Sequence, residues 1–204
     1  MSQRKKSKKK KTEAGADLHA KVAEHQANVT QLLRETGRPG IDSLIEWLET
    51  GTDYFDAPAS SRLDYHGCHP YGLVEHSINV YTVFLQKVMQ YGLEVGDDEV
   101  VIASLMHDLC KVNQYRPNRL KSGNISGPKP YVIEDDLPIG HGEKSLYLVA
   151  QHIDLTDTEA MLIRWHMGPF ADGWENYENK VGEACPAIYA FHNADQEASK
   201  YMDK

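Results

Sequence analysis

Four histidines and two aspartates, His76, His107, Asp108, His141, His166 and Asp195, fall on or at the ends of five predicted helices, each among apolar or small residues. Imidazole nitrogen and carboxylate oxygen suit zinc, manganese, iron and other borderline ions. Six such donors are too many for one closed tetrahedral structural zinc; two ions bridged by Asp108 would use them all. Each histidine taken singly has the blander reading of a hydrogen-bonded core or surface residue, and only their joint occurrence points to a metal centre. The sharpest signal is the consecutive pair His107 and Asp108 inside an apolar run, because two polar side chains buried side by side are costly unless something holds them. Successive helical residues point about 100° apart. Both can therefore reach one ion only if it sits beside the helix and the other donors arrive from elsewhere. Lys111, four residues after His107, is expected on the same helical face, where its ammonium meets an anion held by the metal.

Helices must carry these groups. Residues 100–106 form an apolar run opened by Asp97, Asp98 and Glu99, the pattern of a buried helix that continues through His107 to Lys111. Upstream, residues 14–35 show helical spacing (Leu18, Val22, Val29, Leu32, Leu33) and stop at the turn signals of residues 36–40. Residues 41–50 read as a short amphipathic helix closed by Gly51. Residues 72–91 read as a longer helix that carries His76 and stops at Gly92. Between these two, residues 52–70 form a loop rich in groups able to line a site, His66 and His69 among them. Turn residues between two short strand-like runs predict a β-hairpin near 115–136. His141 stands at the start of the next helix. Thr156 and Glu159 have capping-box spacing and open a helix that carries His166 and ends near Gly168 and Pro169. Residues 173–181 read as a loop, and a last helix over about 182–202 carries Asp195. The fold class is all-α, a helical bundle with one small β-hairpin.

The chain has 204 residues with 41% apolar and 25% charged, which suits one globular domain, assigned to 13–204. Its charge is uneven. Seven of the 22 basic residues lie between Arg4 and Lys11, leaving 15 against 30 acidic ones, so the body carries about −15. An acidic body disfavours nucleic-acid binding except through the basic N-terminal run, and residues 1–12 are expected to be a disordered tail with no assigned role. Three cysteines without CxxC spacing point to a reducing compartment. No run approaches 18 apolar residues and no apolar core follows the basic start; a soluble cytoplasmic protein without a membrane partner is expected.

The order of these groups resembles the HD superfamily of metal-dependent phosphohydrolases. The segments GLVEH (72–76), LMHDLCK (105–111), GHGEKS (140–145), RWH (164–166) and HNAD (192–195) are similar to those of one bacterial and phage branch. The likeness covers roughly residues 62–202. It implies an HD-domain helical bundle in which His76, His107, Asp108 and Asp195 hold one divalent metal. His141 and His166 would hold a second bridged by Asp108, and Lys111 would contact substrate phosphate. Asp108 and Lys111 then form the catalytic pair; Lys144, Arg164, His66 and His69 are weaker candidates for binding the substrate. Cys110 stands where many members have glycine, and the cyclic-dinucleotide signature is missing. The implied reaction is hydrolysis of a small phosphate ester, a nucleotide or a related compound, by metal-activated water. Mn, Fe, Co, Zn and Mg are not distinguished. Two other classes fit the same donors: a di-iron oxygenase and a nucleotide-binding or interaction protein without turnover.

Overall fold

Val100, Val101, Ile102, Ala103, Ser104, Leu105 and Met106 are all buried, and a helix buried around its whole circumference has to lie at the centre of its bundle. A computed structural model, which describes the backbone of residues 2–203 and the side chains of residues 18–203, shows this arrangement. The helices are α1 (Ser2–Glu35), α2 (Ile41–Thr50), α3 (Gly72–Tyr91), α4 (Asp97–Met106), α5 (His141–Val149), α6 (Asp157–Trp165), α7 (Trp174–Ala184) and α8 (Ala187–Glu197). The central α4 packs against α3, α6 and α1, while α8 lies along α3 and α5 along α6. Phe84 of α3 meets Phe191 of α8 edge to face at 4.8 Å, a contact that ties these helices below the site. The expected disordered tail, residues 1–12, lies outside the residues with described side chains. Among the described residues no helix is long and apolar enough to cross a membrane.

The expected hairpin is present. β1 (Tyr115–Pro117) and β2 (Tyr131–Ile133) pair antiparallel, with Tyr115 opposite Ile133 and Pro117 opposite Tyr131. The capping box of α6 is also formed: Thr156 Oγ1 accepts from the Glu159 amide at 3.1 Å, and Glu159 Oε2 accepts from the Thr156 amide at 2.8 Å.

Three local expectations are corrected. The apolar run does not continue as one helix to Lys111: α4 ends at Met106, Asp108 leaves helical geometry at φ −105°, ψ 19°, and residues 109–111 make a separate 3₁₀ turn. Residues 173–181 are not a loop but most of α7, which buries Trp174 and Val181, one at each end of a polar stretch. Two buried positions seven residues apart are too thin a periodic signal to read. The last helix begins only at Ala187, because the chain first turns through Cys185 and Pro186, and it passes into a π-helical turn at Ala198–Met202.

One partly buried charge cluster, centred on Glu159, joins the early loop to the core. The Arg38 guanidinium grips Glu159 with two bonds of 3.0 Å, reaches Asp98 at 2.7 Å and donates to the Asp154 carbonyl at 2.9 Å. The Glu159 side chain is 0% exposed. Burial works against its charge and raises its pKa, and the Thr156 amide and Arg38 work the other way. Arg38→Met leaves this carboxylate without its cation. It should cost about 3 to 5 kcal/mol, the usual penalty for breaking a buried pair, read as a lower denaturant midpoint with an unchanged slope.

Candidate metal centre

Two helices end in the same way. His107 and His166 are the residues at which α4 and α6 stop. Each ring turns back so that its Nδ1 meets a carbonyl three residues earlier, Ser104 at 2.8 Å and Ile163 at 2.7 Å. The carbonyl accepts, so Nδ1 carries the proton and the Nε2 lone pair points inward. The bond also satisfies one of the carbonyls that a helix end leaves open. A cation near both helix C-termini is favoured by their dipoles.

The remaining donors come from other elements. His76 lies one turn into α3, His141 opens α5, and Asp195 projects from α8. His76 Nε2 is 3.2 Å from His107 Nε2, 3.2 Å from Asp195 Oδ1 and 3.5 Å from Asp108 Oδ2. On the other side of Asp108, Oδ1 lies 2.8 Å from His141 Nε2 and 3.7 Å from His166 Nε2. The four histidines singled out in the sequence therefore surround the Asp108 carboxylate, and Asp195 joins them through His76. The close approach of α5 to α6 depends on Gly142, where a Cβ would fall 2.1 Å from the Arg164 carbonyl oxygen.

Burial and charge fit a cation here. His76, His107 and His166 are fully buried, and the Asp108 side chain is 4% exposed. His166 Nε2 has no hydrogen-bond partner, and a buried nitrogen left bare in this way is costly unless a ligand completes it. The Nε2 atoms of His76 and His107 face one another, and a cation between them and the carboxylates resolves the repulsion of their lone pairs. The pKa shifts agree. Burial opposes charge on His76, but hydrogen bonds to Asp195 and Asp203 outweigh it and raise its pKa to about 9. His141, opposed by burial and favoured by Cys110 and Asp108, rises to about 10. His166 falls to about 3, chiefly through burial and then through the neighbouring His107 and His141 rings. Burial would raise the Asp108 and Asp195 carboxyls, yet Lys111, His107 and His141 hold Asp108 below the ordinary range and His76, His107 and His166 do the same for Asp195. The pocket attracts positive charge, and a divalent ion would replace these protons.

A cleft of about 340 Å³ opens over this cluster, lined by Ser60, Ser61, His66, Lys111 and Tyr115 beside Asp108. Lys111 reaches it from the 3₁₀ turn, with Nζ 2.6 Å from Asp108 Oδ2. Burial opposes the ammonium, and the Asp108 charge more than offsets this, raising the pKa of Lys111. The His66 ring lies 4.9 Å from that of His76, tilted by 42°, and its Nε2 is buried without a partner. Three candidates for substrate contact stand apart. Lys144 is tied to Asp135 at 2.6 Å. Arg164 pairs with Glu143 and lies 3.9 Å over the Trp165 ring. His69 pairs with Glu75 at 3.2 Å. None of the three lines the cleft.

Two residues at the site have no counterpart among the sequence candidates. Cys110 places its sulfur 3.2 Å from His141 Nδ1, so that Asp108, Cys110 and His141 form a second cluster of possible donors beside that of His76, His107 and Asp108. Its place next to the HD pair was the available signal. Asp203 binds His76 Nδ1 at 2.6 Å. It lies eight residues past Asp195, with nothing in its spacing to mark it.

No family model and no solved structure matches the chain. It is similar to the dihydroneopterin 2',3'-cyclic phosphate phosphodiesterase of Methanocaldococcus jannaschii, with 32% identity over 103 residues. These residues are 48% of this chain and 36% of that protein, so the chain spans about a third of the length of the relative it matches.

Proposed function

We propose that this chain is a metal-dependent phosphohydrolase of the HD type that cleaves a phosphate ester of a nucleotide or related small molecule. The observation that carries the reading is the convergence of four imidazoles, two carboxylates and Lys111 beside one open cleft, which Asp108, Lys111, His141 and Asp195 line while His76, His107 and His166 are fully buried. The relative's printed activity, on a 2',3'-cyclic phosphate, favours a phosphodiester substrate. In this reading His76, His107, Asp108 and Asp195 hold one divalent ion, and His141 and His166 hold a second, with Asp108 between them. Such ions supply charge for the phosphate oxygens and activation of water near neutral pH.

The chain's own groups do the rest. Lys111 Nζ, at the cleft wall, neutralises a phosphate oxygen, and the burial of Asp108 and Lys111 strengthens that attraction by excluding water. His66 lines the same cleft with Nε2 free of protein partners; burial and Lys111 push its pKa down to about 4, so near neutral pH it offers the departing oxygen a hydrogen bond from a neutral ring. Ser61, in the cleft lining, offers its hydroxyl to the ester.

The test is a screen of purified protein against nucleotides and their 2',3'-cyclic phosphates, with Mn²⁺, Fe²⁺, Co²⁺ and Mg²⁺ in turn. Metal-dependent release of a monoester or phosphate is expected. No turnover of any phosphate ester with metal bound would overturn the reading in favour of a binding protein. His166→Ala separates the two ions: one should remain by elemental analysis while turnover falls by about 100-fold or more, as for loss of one charge-stabilising group. Full activity with both ions retained would refute the second site.

A further inference from the structure

Asp203 is the least expected participant in the cluster. Its side chain is 1% exposed. Oδ2 accepts from His76 Nδ1 at 2.6 Å and Oδ1 accepts from Asn79 Nδ2 at 2.7 Å. Among the described residues no lysine or arginine pairs with it. The backbone before it is the π-helical turn Ala198–Met202, which packs on α3 and whose Ala198 carbonyl accepts the Asp203 amide at 3.1 Å. The same turn carries Ser199, which donates to Asp195 Oδ1 at 3.4 Å. One irregular turn thus touches two candidate ligands, and π-turns recur where a fold aims functional groups.

We infer that Asp203 is a positioning residue for the metal centre: it accepts a hydrogen bond from the His76 Nδ1–H, fixes the ring's tautomer and orientation, and keeps the Nε2 lone pair aimed at Asp108 and Asp195. The inference rests on the proposed function only in so far as that site holds a metal. His107 and His166 have neutral carbonyls in the corresponding place, so His76 alone of these three is backed by a full negative charge. A charged partner raises the basicity of the imidazole and hence its affinity for a cation. Asn79 holds the far oxygen, so the carboxylate cannot rotate away from the ring.

The experiment measures Zn²⁺ and Co²⁺ affinity of the full chain by competition with a chelator for wild type, Asp203→Ala and Asp203→Asn, with melting of the metal-free proteins as the control for folding. Loss of the carboxylate should weaken binding by about 10- to 100-fold in Asp203→Ala, the range for removing such an outer partner. Asp203→Asn keeps the shape and an accepting oxygen without the charge, and should fall between that variant and wild type. Wild-type affinity in both variants would overturn the inference. If Asp203→Ala fails to fold, Asp203→Asn decides: wild-type affinity there refutes the role and an intermediate value supports it. Wild type that binds neither ion would instead overturn the metal site itself, a failure distinct from that of Asp203.

Discussion

Asp108→Asn should empty the centre and reduce kcat/KM by about 1000-fold or more, the upper end for loss of one preorganised charge. The expectation follows from how many groups the carboxylate serves at once. Oδ1 faces His141 and His166, and Oδ2 faces His76, His107 and Lys111. An amide keeps the size of the side chain but offers one oxygen in place of two and removes the charge that offsets five potential cations. Lys111 then loses its 2.6 Å partner within the same cavity, so a lower melting temperature is expected as well. Elemental analysis after reconstitution should find up to two ions per chain in wild type and little in Asp108→Asn. Retention of both ions with full turnover in the variant would show that the carboxylate does not bridge.

Lys111→Met should lower kcat/KM by about 10- to 1000-fold while metal content holds. Methionine keeps the length and the apolar stem, and only the ammonium is lost. Hydrolysis of a phosphate ester must neutralise oxygens that are already anionic, and Lys111 is the lysine that lines the cleft. An oxygenase built on the same donors has no comparable need for it unless its substrate is itself a phosphate. Product must be followed together with rate: release at the same rate without oxygen supports hydrolysis. Strict dependence on oxygen, with Lys111→Met changing only KM, would overturn the proposed reaction. The close contact of Lys111 with Asp108 also bears on metal loading, since the ammonium and an ion would compete for Oδ2. Faster or tighter metal uptake in Lys111→Met is therefore an acceptable accompaniment, and loss of metal is not.

Much of this architecture is legible in the chain because it depends on short-range rules. Period and punctuation mark α2 and α3, the capping box marks α6, and the turn-rich stretch between two β-prone runs marks the hairpin. The six donors are also recognisable, since histidine and aspartate inside apolar helices are expensive wherever they occur and so stand out against their surroundings. What spacing conveys poorly is where a helix stops. His107 reads as helical, yet the α4 backbone ends beside it because the ring captures the Ser104 carbonyl, and Lys111 reaches Asp108 from a 3₁₀ turn instead of lying one helical turn beyond His107. The helix of residues 174–184 escapes notice for a different reason. Its two buried anchors sit within a polar run, so the tertiary contact of Trp174 and Val181 decides it and local pattern does not.

Which charges are free to meet a ligand is a question of tertiary structure alone. Lys144, Arg164 and His69 share their types and neighbourhood with Lys111 and His66, but ion pairs to Asp135, Glu143 and Glu75 hold them away from the cleft. Asp203 is the converse case, an unremarkable residue in sequence that the turn at Ala198–Met202 delivers to His76. The sequence by itself determined which residue types are present, the helices most of them ride on and the cost of leaving them unpaired. The tertiary structure decided which atoms meet, because hydrogen bonds and ion pairs act over about 3 Å, while the residues that make them lie as far apart in the chain as His76 and Asp203.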